Sequence, residues 1–413
     1  MTTDLRHRPR GWAGHATGLL GPMAATAGRA ALERSVAQRG RRLRAATRDA
    51  VAQRRRPTRA RVRTLVVRPG GRLDFRAVPA PPPPGPGSAV VRPLAMATCD
   101  MDRPIALGRT SFPLPLQLGH ECVAEVLTVG DGVATVRPGQ RVVVPFQVGC
   151  GTCPPCRQGR SGNCTDVPPF SMYGFGLAGG HWGGVFAEQV AVPFADGMLV
   201  PLPDGVDAVA AASVADTVGD AYRHVAPHLP ALLERDPDAE VLVLAGLDRR
   251  PVFSPSSALY AGQVARALGA RRVTVVDRRA AVRDHAARLG LDPLAPDDLR
   301  GHPSAPLVLD MSASRRGPWT ALGHTAPDGV CSCAGALHRA ARIPAALMFA
   351  RNATLHLGRS HIRTVIPAVL DLLDRGLLRP QDVTTVVAGW EQAPEALREH
   401  VLGDVTKTVV RAA

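Results

Sequence analysis

Near residue 208 the spacing of apolar residues changes its period, and a chain that does this cannot be one repeating layer. Before that point, short apolar runs at 64–67, 89–93, 122–129, 141–145 and 186–192 are broken by Gly and Pro, with a stiff proline run at 79–86 between the first two. This is the texture of short strands in a partly open β-barrel. After it, an Ala-rich helical segment leads to a run at 241–245, a helical pattern at 257–268, a run at 272–276, a helix at 279–289 and a run at 307–310. Strands alternating with helices predict a doubly wound parallel sheet. The expected fold class is therefore α/β. A barrel unit from 63–209 and 350–413 joins a sheet unit from 210–349, and both follow an extension at 1–62.

With 413 residues, 45% of them hydrophobic, two such units can each bury a core. The formal charge of +15 raises the question of nucleic acid, so its location matters. Residues 1–63 hold 16 arginines against Asp4, Glu33 and Asp49, a net of +13, which leaves about +2 for the remainder. The body is near neutral, and nucleic acid is not its expected partner. Residues 1–62 read as a disordered arginine-rich extension in which 30–51 could form a basic helix, and Val62 would equally serve as a start. Binding of nucleic acid by that extension would weaken steeply with salt. No run reaches the 18 or more apolar residues of a membrane helix, so no membrane association is expected.

Four of the eight cysteines, Cys150, Cys153, Cys156 and Cys164, crowd into one loop rich in Gly and Pro. Four sulfurs that can wrap a tetrahedral ion and leave no open position describe a structural zinc site. Thiolates kept for metal need a reducing compartment, which points to the cytoplasm. A second set is dispersed along the chain: Cys99, His120 beside Glu121, and Asp216. A thiolate, an imidazole and a carboxylate, with one position left for water or substrate, is the composition a catalytic zinc requires. Two zinc ions per chain are thus expected.

Together with Gly119-His120-Glu121, the cysteine lobe, the glycine-rich run 179–184 around His181 and Trp182, and the terminal Thr406-Lys407, these features resemble the zinc-containing medium-chain alcohol dehydrogenase family. The resemblance covers the chain from about residue 62. It implies a GroES-like catalytic unit and a Rossmann-type unit. It also implies Cys99, His120 and Asp216 as catalytic zinc ligands, Glu121 as a carboxylate able to exchange onto the metal, and Asp102 as the group that fixes the tautomer of His120. The implied activity is hydride exchange between an alcohol, or an aldehyde hydrate, and a nicotinamide cofactor, with zinc as Lewis acid. Lys407 would lie near the cofactor pyrophosphate. A small alcohol or aldehyde would be the substrate, shaped by side chains such as Phe146, His181, Trp182 and Tyr222, in a homodimer or homotetramer.

The cofactor motif departs from the family's Gly-x-Gly-x-x-Gly. Counted forward from the run at 241–245, the first glycine is Gly246. Counted back from the following helix, the three positions are Phe253, Pro255 and Ala258, so 247–253 reads as an insertion. Ser256 or Ser257 could still cap the helix and offer N–H groups to a phosphate. Asp277, 19 residues after Ala258, would accept the ribose hydroxyls of NAD and repel the extra phosphate of NADP, while Arg278 and Arg279 soften that preference. Met101 replaces the family's usual hydroxyl residue, so the substrate proton needs another route, through Asp100, Glu121 or water. Two alternatives follow from these departures: a member with altered cofactor chemistry acting as a scaffold or regulator, and an enzyme of the formaldehyde dehydrogenase or dismutase kind with an enclosed NAD.

Overall fold

The computed structural model describes residues 60–110, 112–334 and 343–412. The expected extension lies outside the described residues except at its end, where Arg61 and Val62 already belong to the strand Arg61–Arg68. That strand buries Val62, Thr64, Leu65 and Val67 and turns back through Gly70 and Gly71, both at positive φ, into Arg72–Pro79. Leu116–Gln117 pairs on its other side, which completes a three-stranded sheet.

A second sheet runs, in spatial order, through Val386–Gly389, Thr408–Arg411, Ala89–Ala97, Glu121–Val129, Arg141–Val144 and Val200–Pro201, with Val190–Val192 also paired to Ala89–Ala97. A bridge between Thr64 and Ala187 ties the first sheet to the segment that leads into Val190–Val192. The C-terminal strand lies antiparallel against Ala89–Ala97, so the end of the chain packs beside its first third.

The third sheet is parallel throughout. Its spatial order is Asp292–Leu294, Arg272–Asp277, Glu240–Gly246, Ala305–Asp310, Thr325–Cys333 and Thr354–Leu357. Every residue of Glu240–Gly246 is buried, as a central strand covered on both faces requires. The order reverses between Glu240–Gly246 and Ala305–Asp310, and at such a switch point the strand ends open a crevice. The expected return to the barrel unit at residue 350 comes one strand early. Thr354–Leu357 still pairs with Thr325–Cys333, because a short edge strand with mostly exposed side chains carries little apolar signal.

One apolar core runs from Leu65 and Val91 through Val214 and Val218 to Val243 and Val264, so the barrel and the parallel sheet share packing. The helix Thr217–Val225 sits at that junction. Its Gly219 faces Ile362, whose Cδ1 lies 2.6 Å from where a Cβ would stand. Among the described residues no helix is long and apolar enough to cross a membrane.

Candidate functional site

Three separate stretches of backbone deliver the dispersed set. Cys99 follows the strand Ala89–Ala97, and the pairing of Ala97 with Glu121 sets it beside His120. His120 leaves Gly119 at φ +90, and a Cβ on Gly119 would meet the Phe186 ring at 2.1 Å, so only glycine permits this approach. Asp216 stands between a 3-10 turn, Ala212–Ala215, and the helix Thr217–Val225. Sequence separations of up to 117 residues thus collapse into one cluster, in which the donor atoms of Cys99, His120, Glu121 and Asp216 all lie within 4.8 Å of one another. His120 Nε2 lies 3.1 Å from Asp216 Oδ2.

The charge balance is the telling property of this cluster. Asp102 and Glu121 are fully buried, Asp216 nearly so, and among the described residues Lys407 is the one lysine or arginine hydrogen-bonded to any of these acids, with the His120 imidazole beside Asp216. Burial first, and then the carboxylates of Asp216 and Glu121, push the Cys99 thiol up. Burial alone would lower the His120 pKa, but Asp216, Asp102 and Glu121 outweigh it and raise it. Buried negative charge left this short of a counter-ion is a site for a cation. Phe175 and Phe146, with ring centroids 4.8 and 5.7 Å from that of His120, make its walls apolar, and Met101 packs against the same core.

Two expected site residues find partners within the chain. Lys407 is fully buried, and its Nζ donates to Glu121 Oε2 at 2.7 Å and to Thr217 Oγ1 at 2.9 Å, beneath the Tyr260 ring. Thr217 donates from both N and Oγ1 to the other oxygen of Glu121. The side chain before Thr-Val-Val therefore neutralises an acid of the buried cluster, because the antiparallel pairing of Thr408–Arg411 points it inward. Asp102 accepts from the backbone N of Cys99 at 2.8 Å and no hydrogen bond joins it to His120; its Oδ1 and His120 Nδ1 are both buried without a partner.

The cysteine lobe closes as its spacing suggests. Cys150 Sγ lies 4.0 Å from Cys156 Sγ, and Cys153 Sγ lies 3.8 Å from Cys164 Sγ. Four thiolates about 2.3 Å from a tetrahedral zinc stand about 3.8 Å apart, so these separations fit the ion. Backbone N–H groups of Thr152 and Cys153 point at Cys150 Sγ, and that of Cys150 at Cys164 Sγ, which favours thiolates. Burial works against ionisation of Cys153, yet donors from Thr165 and Cys156 hold it down to about 6.

At the crevice of the parallel sheet the residues expected to receive a dinucleotide have found partners within the chain. Asp277 is fully buried, and Arg279 grips its carboxylate through the backbone N, Nε and Nη2 at 2.7–2.9 Å while also donating to the Phe253 carbonyl. A Cβ on Gly246 would meet that carboxylate at 2.5 Å, so Gly246 serves close packing here. Arg278 pairs instead with Asp297. Ser257 gives its N–H to Asp100, and Ala258 is buried in the helix Ser256–Ala267. Sequence reasoning missed the grip of Arg279 and placed Asp100 on a proton route; the Arg-Arg pair after Asp277 was the available signal for the first. Beside these residues a cavity of about 430 Å³ is lined by Arg249, Arg278 and Arg316, with Asp248 and Ser314.

Residues 85–204 match the alcohol dehydrogenase GroES-like domain. The chain is 36% identical over 143 residues to a glutathione-independent formaldehyde dehydrogenase of Pseudomonas aeruginosa, a match that covers 32% of this chain and 36% of that one. It therefore spans about a third of the length of that relative. Over 342 residues it is 27% identical to a Mycobacterium tuberculosis protein described as a "probable zinc-binding alcohol dehydrogenase", covering 80% of this chain and 83% of the relative. The alcohol dehydrogenase TADH of Thermus sp. ATN1 superposes with a TM-score of 0.76 at 28% identity, covering 85% of this chain and all of that structure.

Proposed function

Because the chain belongs to the zinc-containing medium-chain alcohol dehydrogenase family, we propose that it is a zinc-dependent oxidoreductase of a small alcohol or aldehyde, with a nicotinamide nucleotide as hydride partner. The observation that carries the zinc part is the buried set of Cys99, His120 and Asp216, whose donors converge with one ammonium to balance three carboxylates. Zinc held there, with a second ion on Cys150, Cys153, Cys156 and Cys164, would supply a Lewis acid for an alcohol or carbonyl oxygen.

The chain's own residues prepare that site. Lys407 and Thr217 occupy both oxygens of Glu121, so its carboxylate is fixed in place beside the other three donors. Asp102 anchors the backbone at Cys99. Phe146, Phe175 and Met101 keep the neighbouring space apolar, which strengthens electrostatics within it. With Met101 lacking a hydroxyl and Asp100 held elsewhere, Glu121, Thr217 and Lys407 close a buried hydrogen-bonded ring beside the donor set.

A dinucleotide does not fit the crevice in the arrangement this structure has. The carboxylate for its ribose is held by Arg279, and the helix N–H groups for its phosphates are taken by Asp100. The same observation favours a second reading, a zinc-binding member with altered cofactor chemistry. The partial likeness to formaldehyde dehydrogenase makes a small aldehyde hydrate the narrower substrate proposal.

Metal analysis of the purified protein, followed by nucleotide-dependent turnover with a panel of short alcohols and aldehydes, tests both parts. Two zinc ions per chain, falling to one in Cys99→Ser with loss of turnover, is the expected result. One zinc in the wild type would remove the catalytic metal from the proposal. Two zinc ions without turnover with either NAD or NADP would transfer it to the second reading.

A further inference from the structure

The helix Ser256–Ala267 begins without a cap of its own. Pro255 precedes it and offers no side-chain hydrogen bond. Its first two N–H groups are nevertheless satisfied, from 156 and 157 residues away and from the other unit of the chain. Asp100 Oδ1 accepts from Ser254 Oγ at 3.0 Å, from Ser256 N at 3.2 Å and from Ser256 Oγ, and Asp100 Oδ2 accepts from Ser257 N at 3.0 Å. Ser254 and Ser256 are buried, so these donors have no water to turn to.

This is the helix that starts at the switch point of the parallel sheet, where N–H groups and the helix dipole receive anionic phosphate in nucleotide-binding folds. The cavity lined by Arg249, Arg278 and Arg316, together with Asp248, lies at the ends of the same strands, where Arg278 is paired with Asp297. Resting on the nicotinamide reading above, we propose that Asp100 sets this chain's affinity for a dinucleotide. Its carboxylate stands in for phosphate at the helix start, and the nucleotide binds only as Asp100 withdraws. Two negative groups cannot share the same four donors, so the affinity is reduced by the work of separating Asp100 from them.

The test is calorimetric titration of zinc-replete wild type, Asp100→Ala and Asp100→Asn with inorganic pyrophosphate and with NADH, alongside thermal unfolding. Asp100→Ala should bind pyrophosphate and NADH at least about tenfold more tightly than wild type while its unfolding midpoint falls, since the cap is lost and the seat is opened. Asp100→Asn, which keeps an acceptor but no charge, should lie between. A merely structural role would move stability and binding down together. If pyrophosphate binds no better to either variant, the inference is overturned. If pyrophosphate binding tightens but NADH binding does not, Asp100 is the occupant of an anion seat and the nicotinamide reading fails. If wild type binds NADH tightly and Asp100→Ala binds it equally or worse, the nicotinamide reading stands and this inference does not.

Discussion

Replacing Lys407 by Met removes a charge and keeps most of the side-chain volume, which isolates the ion pair with Glu121. Both side chains are fully buried and their charged atoms are 2.7 Å apart. At an effective dielectric of about 20, that separation corresponds to about 6 kcal/mol of attraction. Much of this is offset by the cost of drying both groups, so the pair as a whole contributes less than the attraction suggests. Deleting one partner is different, because the carboxylate stays behind in a dry site that already holds Asp102 and Asp216. The expected loss for Lys407→Met is about 3–5 kcal/mol, a large share of an ordinary stability of about 5–15 kcal/mol. Urea unfolding of the zinc-replete protein at pH 7.5 reads it, together with Glu121→Gln and the double variant. The double variant should recover at least about 1.5 kcal/mol relative to the sum of the single losses, since neither charge is then stranded. A loss below about 1 kcal/mol with additive effects would refute the counter-ion role. A small loss accompanied by weaker nucleotide binding would restore the position near a pyrophosphate that the sequence suggested.

The cysteine lobe should behave as a metal-dependent unit: Cys153→Ser is expected to lower zinc content from two ions to one and to lower the thermal midpoint, and retention of both ions would contradict the four-sulfur site. His400 gives a pH signature. Burial first, with Lys407 and Arg103 adding to it, pushes its pKa down to about 3, against about 6.5 in the unfolded chain. A depressed folded pKa means that stability is whole above the unfolded value and is lost as pH falls through the window from about 6.5 to about 3, at up to about 1.4 kcal/mol per pH unit. His400→Asn should remove about one proton's worth of that slope in acid unfolding measurements; an unchanged slope would mean that His400 takes its proton within the fold.

The two architectures were legible from the sequence because each has its own period. Buried parallel strands such as Glu240–Gly246 read as unbroken apolar runs, and helices such as Ser256–Ala267 follow at once. The side chains that converge in the two clusters were legible by type and spacing as well. Four cysteines in one loop can meet only locally, and the Gly-His-Glu run carries its own steric reason in the Phe186 ring against Gly119. The edge strand Thr354–Leu357 was not legible, since an exposed strand of four residues has neither length nor pattern to mark it.

What the sequence determined by itself were these local matters of period, ligand type and loop closure, each encoded within a few neighbouring residues. What only the tertiary structure decided was which charges meet. Lys407 faces Glu121 across 286 residues, and Asp100 caps a helix 156 residues further on. Arg279 turns back on Asp277, two residues before it, where the same sequence would equally allow it to face solvent. Pairings of this kind depend on distance and burial, and neither exists until the sheets have packed and taken the water away.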